Sequence, residues 1–153
     1  MTILIDRADF DDPRLAPFLQ AHLDDLAPTA PAESRHALDL TALQKPGVRL
    51  WVVRDADAII GTAALAALEP GHEELKSMRT DPGYRGRGVA RGLVTHLLAD
   101  ARERGIGRIS LETGTMAFFA PARALYASCG FVPCAPFGSY GEDPNSTFMT
   151  REV

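Results

Sequence analysis

The chain has 153 residues, 46% of them apolar, with 16 Lys and Arg against 20 Asp and Glu for a net charge of −4. That size and apolar content suit one domain over residues 1–153 with a core of its own, and the mild negative charge argues against a nucleic-acid footprint across the whole surface. No apolar run reaches the ~20 residues of a membrane span and the acidic start MTILIDRADFDDP is unlike a secretory signal. The expectation is a cytoplasmic protein with no membrane or nucleic-acid partner. Its two cysteines, Cys129 and Cys134, stand too close together and too alone for a disulfide framework, and no His or Cys spacing resembles a zinc site, so reduced thiols and no metal are expected.

In chain order, TILIDRADF alternates as a short strand, and DDPRLAPFLQAHLDDLA sets apolar residues at helical intervals behind an Asp-Pro start. After a Pro-rich break, APAESRHALDLTAL places Ala37, Leu38 and Leu43 on one side, predicting a second short helix ended by QKPG. VRLWVVRD and AIIGTAALAAL then read as two strands joined by a short Asp/Ala turn. A third strand, HEELKSMRT, alternates Leu75, Ser77 and Arg79 against Glu74, Lys76 and Met78 before DPGY stops it. From Gly88 onward apolar residues recur at Val89, Leu93, Val94, Leu97, Leu98 and Ala101, a helix with Gly105 as its stop. RISLET is a strand, PARALYASCG a helix capped by Gly130, and FVPCAPFGSYGEDPNSTFMTREV holds two more strand-like pieces around a Pro/Gly/Asn loop.

The stretch MRTDPGYRGRGVARG concentrates arginine and glycine where a strand hands over to a helix. The first N–H groups of a helix lack internal partners and carry the positive end of its dipole, so this turn is an anion site. Gly86 and Gly88 let a ligand approach the backbone, and Arg85, Arg87 and Arg91 stand ready to neutralise phosphate oxygens, a pattern better matched to a pyrophosphate than to a lone carboxylate. A P-loop is excluded because no GxxxxGK followed by Ser or Thr occurs. Gly86, Gly88 and Gly92 come near a dinucleotide-binding GxGxxG, with Glu112 where a ribose-binding acid would stand. The last glycine is one residue late, DPGYR intervenes, and the preceding strands read as antiparallel.

RGRGVA, Arg85 to Ala90, resembles the acetyl-CoA loop Q/R-x-x-G-x-G/A of the GNAT (Gcn5-related N-acetyltransferase) superfamily, and ALYASCGF, Ala124 to Phe131, resembles that superfamily's late helix-to-strand signature. More narrowly, ELKSMRTDPGYRGRG, LETG and PFGSYGEDPNSTFM are similar to the small bacterial YsnE-like acetyltransferases. The resemblance covers nearly the whole chain. It implies an α/β (α+β) GNAT fold with the order β-α-α-β-β-β-α-β-α-β-β, a largely antiparallel mixed sheet of six to seven strands and about four helices. It also implies an acyltransferase that takes acetyl-CoA as cosubstrate and moves the acetyl group to a primary amine of a small, amino-acid-like molecule by direct attack. A non-catalytic acetyl-CoA-binding module and acetylation of a protein or peptide amine remain the alternatives. Of assemblies, a homodimer is the commonest symmetric solution.

Residue by residue, the resemblance assigns Met78, Arg79 and Thr80 to main-chain contacts with the pantetheine arm, much as an added strand would pair, and Arg85, Gly86, Arg87, Gly88, Val89, Ala90 and Arg91 to the pyrophosphate. Acyl transfer from a thioester needs a neutral amine, support for a developing oxyanion and a proton for the departing thiolate. The Met78 N–H is the expected oxyanion donor, Tyr126 the expected acid, and Glu74 the expected base with Glu112 as its competitor and water relays as a substitute for either. Arg35, His36, Phe137, Tyr140 and Ser146 are the expected acceptor-pocket residues, Arg35 as a clamp for an acceptor carboxylate. The segment GTMAFFAP before the Tyr126 helix is longer than the superfamily pattern leads one to expect.

Overall fold

The computed structural model describes residues 3–29, 31 and 36–153. Along them run β1 (Ile3–Arg7), α1 (Leu15–Leu26), α2 (Leu40–Leu43), β2 (Val48–Asp55), β3 (Ala58–Glu69), β4 (His72–Thr80), α3 (Val89–Glu103), β5 (Arg108–Gly114), α4 (Ala120–Ser128), β6 (Val132–Pro133) and β7 (Ser146–Glu152). The strands form one sheet in the order β1-β2-β3-β4-β5-β7-β6. Every neighbouring pair is antiparallel except β4 with β5, which α3 connects. Element order and sheet are those the sequence led us to expect. No helix among the described residues is long and apolar enough to cross a membrane.

Helices cover both faces of the sheet, which is why the middle of β2, Leu50 to Val53, is buried without alternation. Leu50 and Val52 join Leu15 and Leu19 of α1 and Leu43 of α2 in one apolar cluster. Trp51 and Val53 face the other way, into a larger cluster with Leu93, Val94 and Leu97 of α3, Tyr126 of α4, and Ile109 and Leu111 of β5. The register of β2 therefore decides which residues meet which helix layer, and a slip by one would exchange the two sets.

Two departures from the sequence reading bear on function. The second helix is one turn only, because Asp39 stands in extended conformation and accepts from the Ala42 N–H, so the helix starts after it. Pro31 and His36 to Leu38 lie outside any helix, and residues 30 and 32–35 of the expected helix lie outside the described residues. In β4 the expected two-residue alternation fails: Thr62 pairs with Arg79 and Ala64 with Lys76, so three steps on β4 oppose two on β3. Ser77 absorbs the extra residue with a left-handed φ of 55°. Its carbonyl accepts from the buried Thr62 hydroxyl at 2.9 Å, and its own hydroxyl is buried with no partner among the described residues. Glu73 and Glu74, neighbours on β4, are both buried, on opposite faces as alternation requires. Glu73 takes a bidentate pair from Arg104, at 2.7 and 2.9 Å, on the α3 side.

α1 is fastened to β4 by an ion pair from Arg79 to Asp25 at 3.1 Å, with the Arg79 guanidinium 4.7 Å from the centre of the Phe18 ring. Beside it His22 is 9% exposed, and burial, followed by the repulsion of Arg79, pushes its pKa down to about 4. Its folded pKa lies below the ordinary value near 6.5, so the neutral ring contributes fully above that pH, and the contribution is lost as pH falls towards 4. Urea titrations of the wild type should lose up to about 3 kcal/mol over this window from His22. The difference between wild type and His22→Gln should isolate it. Equal slopes for the two proteins would remove His22 from the pH response.

Candidate active site

Between β4 and β5 the sheet opens. Their parallel pairing runs from His72 with Arg108 to Leu75 with Leu111 and ends there, whereas β5 continues against β7 as far as Gly114 with Ser146. The edge of β4 from Lys76 to Thr80 is left facing a cavity of about 690 Å3, with Glu112 to Gly114 on its other side. The cavity reaches from the turn after β4 to a group of polar side chains beneath Glu74 and Glu112.

At the first end, Asp81 caps a short 3-10 turn, Pro82–Tyr84, and the chain then passes through Gly86 and Gly88 with φ of 76° and 81°. Both glycines are required by these left-handed angles, and a Cβ at either would meet open space. Gly88 caps α3 without a side-chain hydrogen bond. The first helical bond runs from the Gly92 N–H to the Gly88 carbonyl at 3.0 Å, so the N–H groups of Val89, Ala90 and Arg91 are donors available to an anion. Arg85 and Arg91 line the cavity here. Arg91 also reaches the Ser128 hydroxyl on α4 at 2.8 Å, while Arg87 lies over the Tyr84 ring at 5.2 Å and is not in the lining.

Midway, Met78 follows the bulge at Ser77 and lines the cavity together with Arg79 and Thr80. Across from them stand Leu125 and Tyr126 of α4. Tyr126 is 5% exposed and packs edge-on against Phe131 at 5.9 Å. Its hydroxyl has no hydrogen-bond partner among the described residues. Burial, with a smaller contribution from Cys129, raises its pKa above the ordinary tyrosine value, so it holds its proton at any working pH. The long segment before α4 is folded tightly. Arg123 donates to the carbonyls of Gly114 and Met116 at 2.7 and 2.9 Å, Ala117–Phe119 forms a 3-10 turn, and the Phe119 ring presses on Gly114 so closely that a Cβ there would lie 2.1 Å from it. Phe118 and Phe119 join the cavity wall.

At the far end two carboxylates, the buried Glu74 and the partly buried Glu112, are held in different ways. The Glu74 Oε2 accepts from the Tyr140 hydroxyl at 2.7 Å and from the Lys76 ammonium at 3.2 Å, and Lys76 also donates to the Tyr140 oxygen at 2.7 Å. Burial first, then the Glu74 charge, pushes the Tyr140 pKa above its ordinary value, which keeps the phenol a donor. Glu112 accepts from the Ser146 hydroxyl at 2.8 Å, and its two oxygens lie 2.7 and 2.8 Å from His36 Nδ1. The His36 ring sits 4.8 Å from the Tyr140 ring.

Of the acceptor residues expected from sequence, His36 and Ser146 line the cavity. Tyr140 and Phe137 do not; they pack one layer back with Phe148, their rings 5.4 to 5.8 Å apart. Tyr140 touches the cavity lining through Glu74 and His36. Arg35 lies outside the described residues. Lys76, Leu125, Phe118 and Phe119 were not singled out for the cavity from sequence. Lys76 alone carried a usable signal there, standing two residues from Glu74 on one strand and so on the same face.

The sequence profile of the acetyltransferase (GNAT) family matches residues 15–131. The chain belongs to the GNAT family. This N-acetyltransferase is 43% identical over 153 residues, the full length of both chains, to the uncharacterised N-acetyltransferase YsnE of Bacillus subtilis. It is 41% identical over 142 residues to the uncharacterised N-acetyltransferase YedL of Escherichia coli, covering 93% of this chain and 89% of the other. A crystal structure from Klebsiella pneumoniae, of a chain assigned as an acyl-CoA N-acyltransferase, superposes with a TM-score of 0.80 at 27% identity, over 99% of this chain and 97% of that one. Acetyl-CoA is the common cosubstrate of GNAT enzymes.

Proposed function

We propose that this GNAT enzyme moves the acetyl group of acetyl-CoA to the primary amine of a small molecule by direct attack. The observation that carries this reading is the continuity of one cavity from the glycine turn, past the bulged edge of β4, to the carboxylates of Glu74 and Glu112. A pyrophosphate at the N–H groups of residues 86–91, with Arg85 and Arg91 beside it, sends the pantetheine arm along Met78, Arg79 and Thr80, whose free edge offers main-chain partners for its amides. The thioester then lies near Met78, whose N–H supports the oxyanion, and near Tyr126, which protonates the thiolate. Neither cysteine lines the cavity, consistent with attack by the amine itself rather than through an acyl-cysteine.

Most of the cavity's length is taken by the pantetheine arm in this arrangement, and the space left beneath His36, Glu74, Glu112 and Ser146 suits a small acceptor rather than a peptide. An acceptor carboxylate would rely on Arg35. The described lining of this end offers carboxylates, which favour the ammonium group of the acceptor. Each of the two carboxylates sits in a hydrogen-bonded network beside the space left for the amine, Glu74 with Tyr140 and Lys76, Glu112 with His36 and Ser146.

Incubation with acetyl-CoA and a panel of small amines should release free thiol faster than acetyl-CoA alone, and the accepted amine should gain one acetyl group by mass. CoA binding without thiol release by any amine would leave a binding module. Acetylation of peptides alone would move the acceptor to a protein amine.

A further inference from the structure

We propose that His36 is the base that takes the amine proton, held for this by Glu112, and that Glu74 binds the ammonium without removing its proton. This rests on the acetyl transfer proposed above and names the group that carries out its proton step. The Nδ1 of His36 lies against both Glu112 oxygens, at 2.7 and 2.8 Å, and the Ser146 hydroxyl fixes the same carboxylate at 2.8 Å. A ring nitrogen that donates to a carboxylate fixes the tautomer and leaves Nε2 as the acceptor. Nε2 has no partner among the described residues, and His36 lines the cavity. A base must reach the amine with a lone pair free and a partner steadying its cation, and the pair has both.

Glu74 is arranged for a different task. Its Oε2 already receives the Tyr140 hydroxyl and the Lys76 ammonium, so both donors occupy the oxygen that would otherwise face the amine proton. Its Oε1 has no partner among the described residues and is the atom left for an incoming ammonium. The titratable groups around His36 are Glu112 of β5, Tyr140 from the chain between β6 and β7, and Glu74 and Lys76 of β4; His22 and Asp25 of α1 line the same cavity.

The protons balance. One ammonium proton passes to His36 Nε2, the neutral nitrogen attacks the thioester carbon to form the C–N bond, and collapse of the oxyanion breaks the C–S bond. Tyr126 gives its proton to the thiolate and regains one, through water, from the acetylated nitrogen. His36 releases its proton to solvent, so each turnover frees one.

The test is the rate–pH profile at saturating acetyl-CoA for wild type, His36→Ala, Glu112→Gln and Glu74→Gln, with CoA affinity measured by calorimetry. His36→Ala should lower kcat on the order of a hundredfold to ten-thousandfold, lose the acid-side limb that wild type shows, keep its CoA affinity, and recover rate when imidazole is added. Glu112→Gln should lower kcat with CoA affinity kept, because the ring loses the carboxylate that orients it. Glu74→Gln should raise KM for the amine and keep the limb. If His36→Ala does not bind CoA, His36→Gln and Glu112→Gln carry the same readings. Turnover by His36→Ala at the wild-type rate, or loss of the limb only in Glu74→Gln, overturns the assignment of the base while leaving acetyl transfer standing. Absence of turnover in wild type overturns acetyl transfer and the assignment together.

Discussion

Replacing Tyr126 with Phe should lower kcat by roughly tenfold to ten-thousandfold, the range for lost general-acid help, with CoA affinity almost unchanged. The ring would keep its packing against Phe131, and no hydrogen bond to the described residues would be broken, so the melting temperature should stay within a degree or two of wild type. The loss would then sit in the chemical step. Burial raises the proton affinity of this phenol, but a thiolate released into the same enclosed cavity is poorly hydrated too, which raises its own demand for a proton. Steady-state rates with an accepted amine, alongside calorimetry with CoA, check this. A variant with normal CoA binding and wild-type turnover would show that the thiolate is protonated by another group.

Gly88→Glu should weaken CoA binding by at least a hundredfold. Two effects add. Any side chain at a φ of 81° strains the turn by about 1–2 kcal/mol, and the carboxylate places a negative charge among the donors meant for the pyrophosphate. Gly88→Ala separates them, since its Cβ would touch nothing within 4 Å and only the strain remains. Calorimetry should place the alanine variant between wild type and Gly88→Glu, with the larger step on adding the charge. Unchanged affinity in a folded Gly88→Glu protein would exclude the glycine turn as the CoA site, and tight NADH binding there would revive the dinucleotide reading.

The parts of this molecule that were readable in advance are those in which one residue type has one physical use. Val89, Leu93, Val94, Leu97 and Ala101 recur at helical spacing because they face the sheet, and all five are buried in α3. Gly86 and Gly88 marked the turn because glycine tolerates left-handed backbone. Ser77 gave no such mark: it adopts a positive φ because pairing with β3 and the Thr62 hydroxyl hold it there, a tertiary cause that leaves no local signature. The residues at the far end of the cavity were singled out separately, but the contact of His36 with Glu112 joins positions 76 apart, and nothing in spacing or periodicity reports it. Asp39 misled in the opposite way, since it lay inside an apolar pattern that suggested helix while its carboxylate starts the helix only at Leu40.

The contact between Gly114 and Phe119 couples what can stand at the two positions. With the Phe119 ring only 2.1 Å from where a Cβ would stand, alanine at 114 requires a smaller or displaced residue at 119, and that change would alter the wall of the cavity beside Phe118. Among relatives the two positions should drift as a pair. Enzymes that retain the glycine with a large aromatic at 119 should share an acceptor range, and those that exchange both should have diverged in the amines they accept.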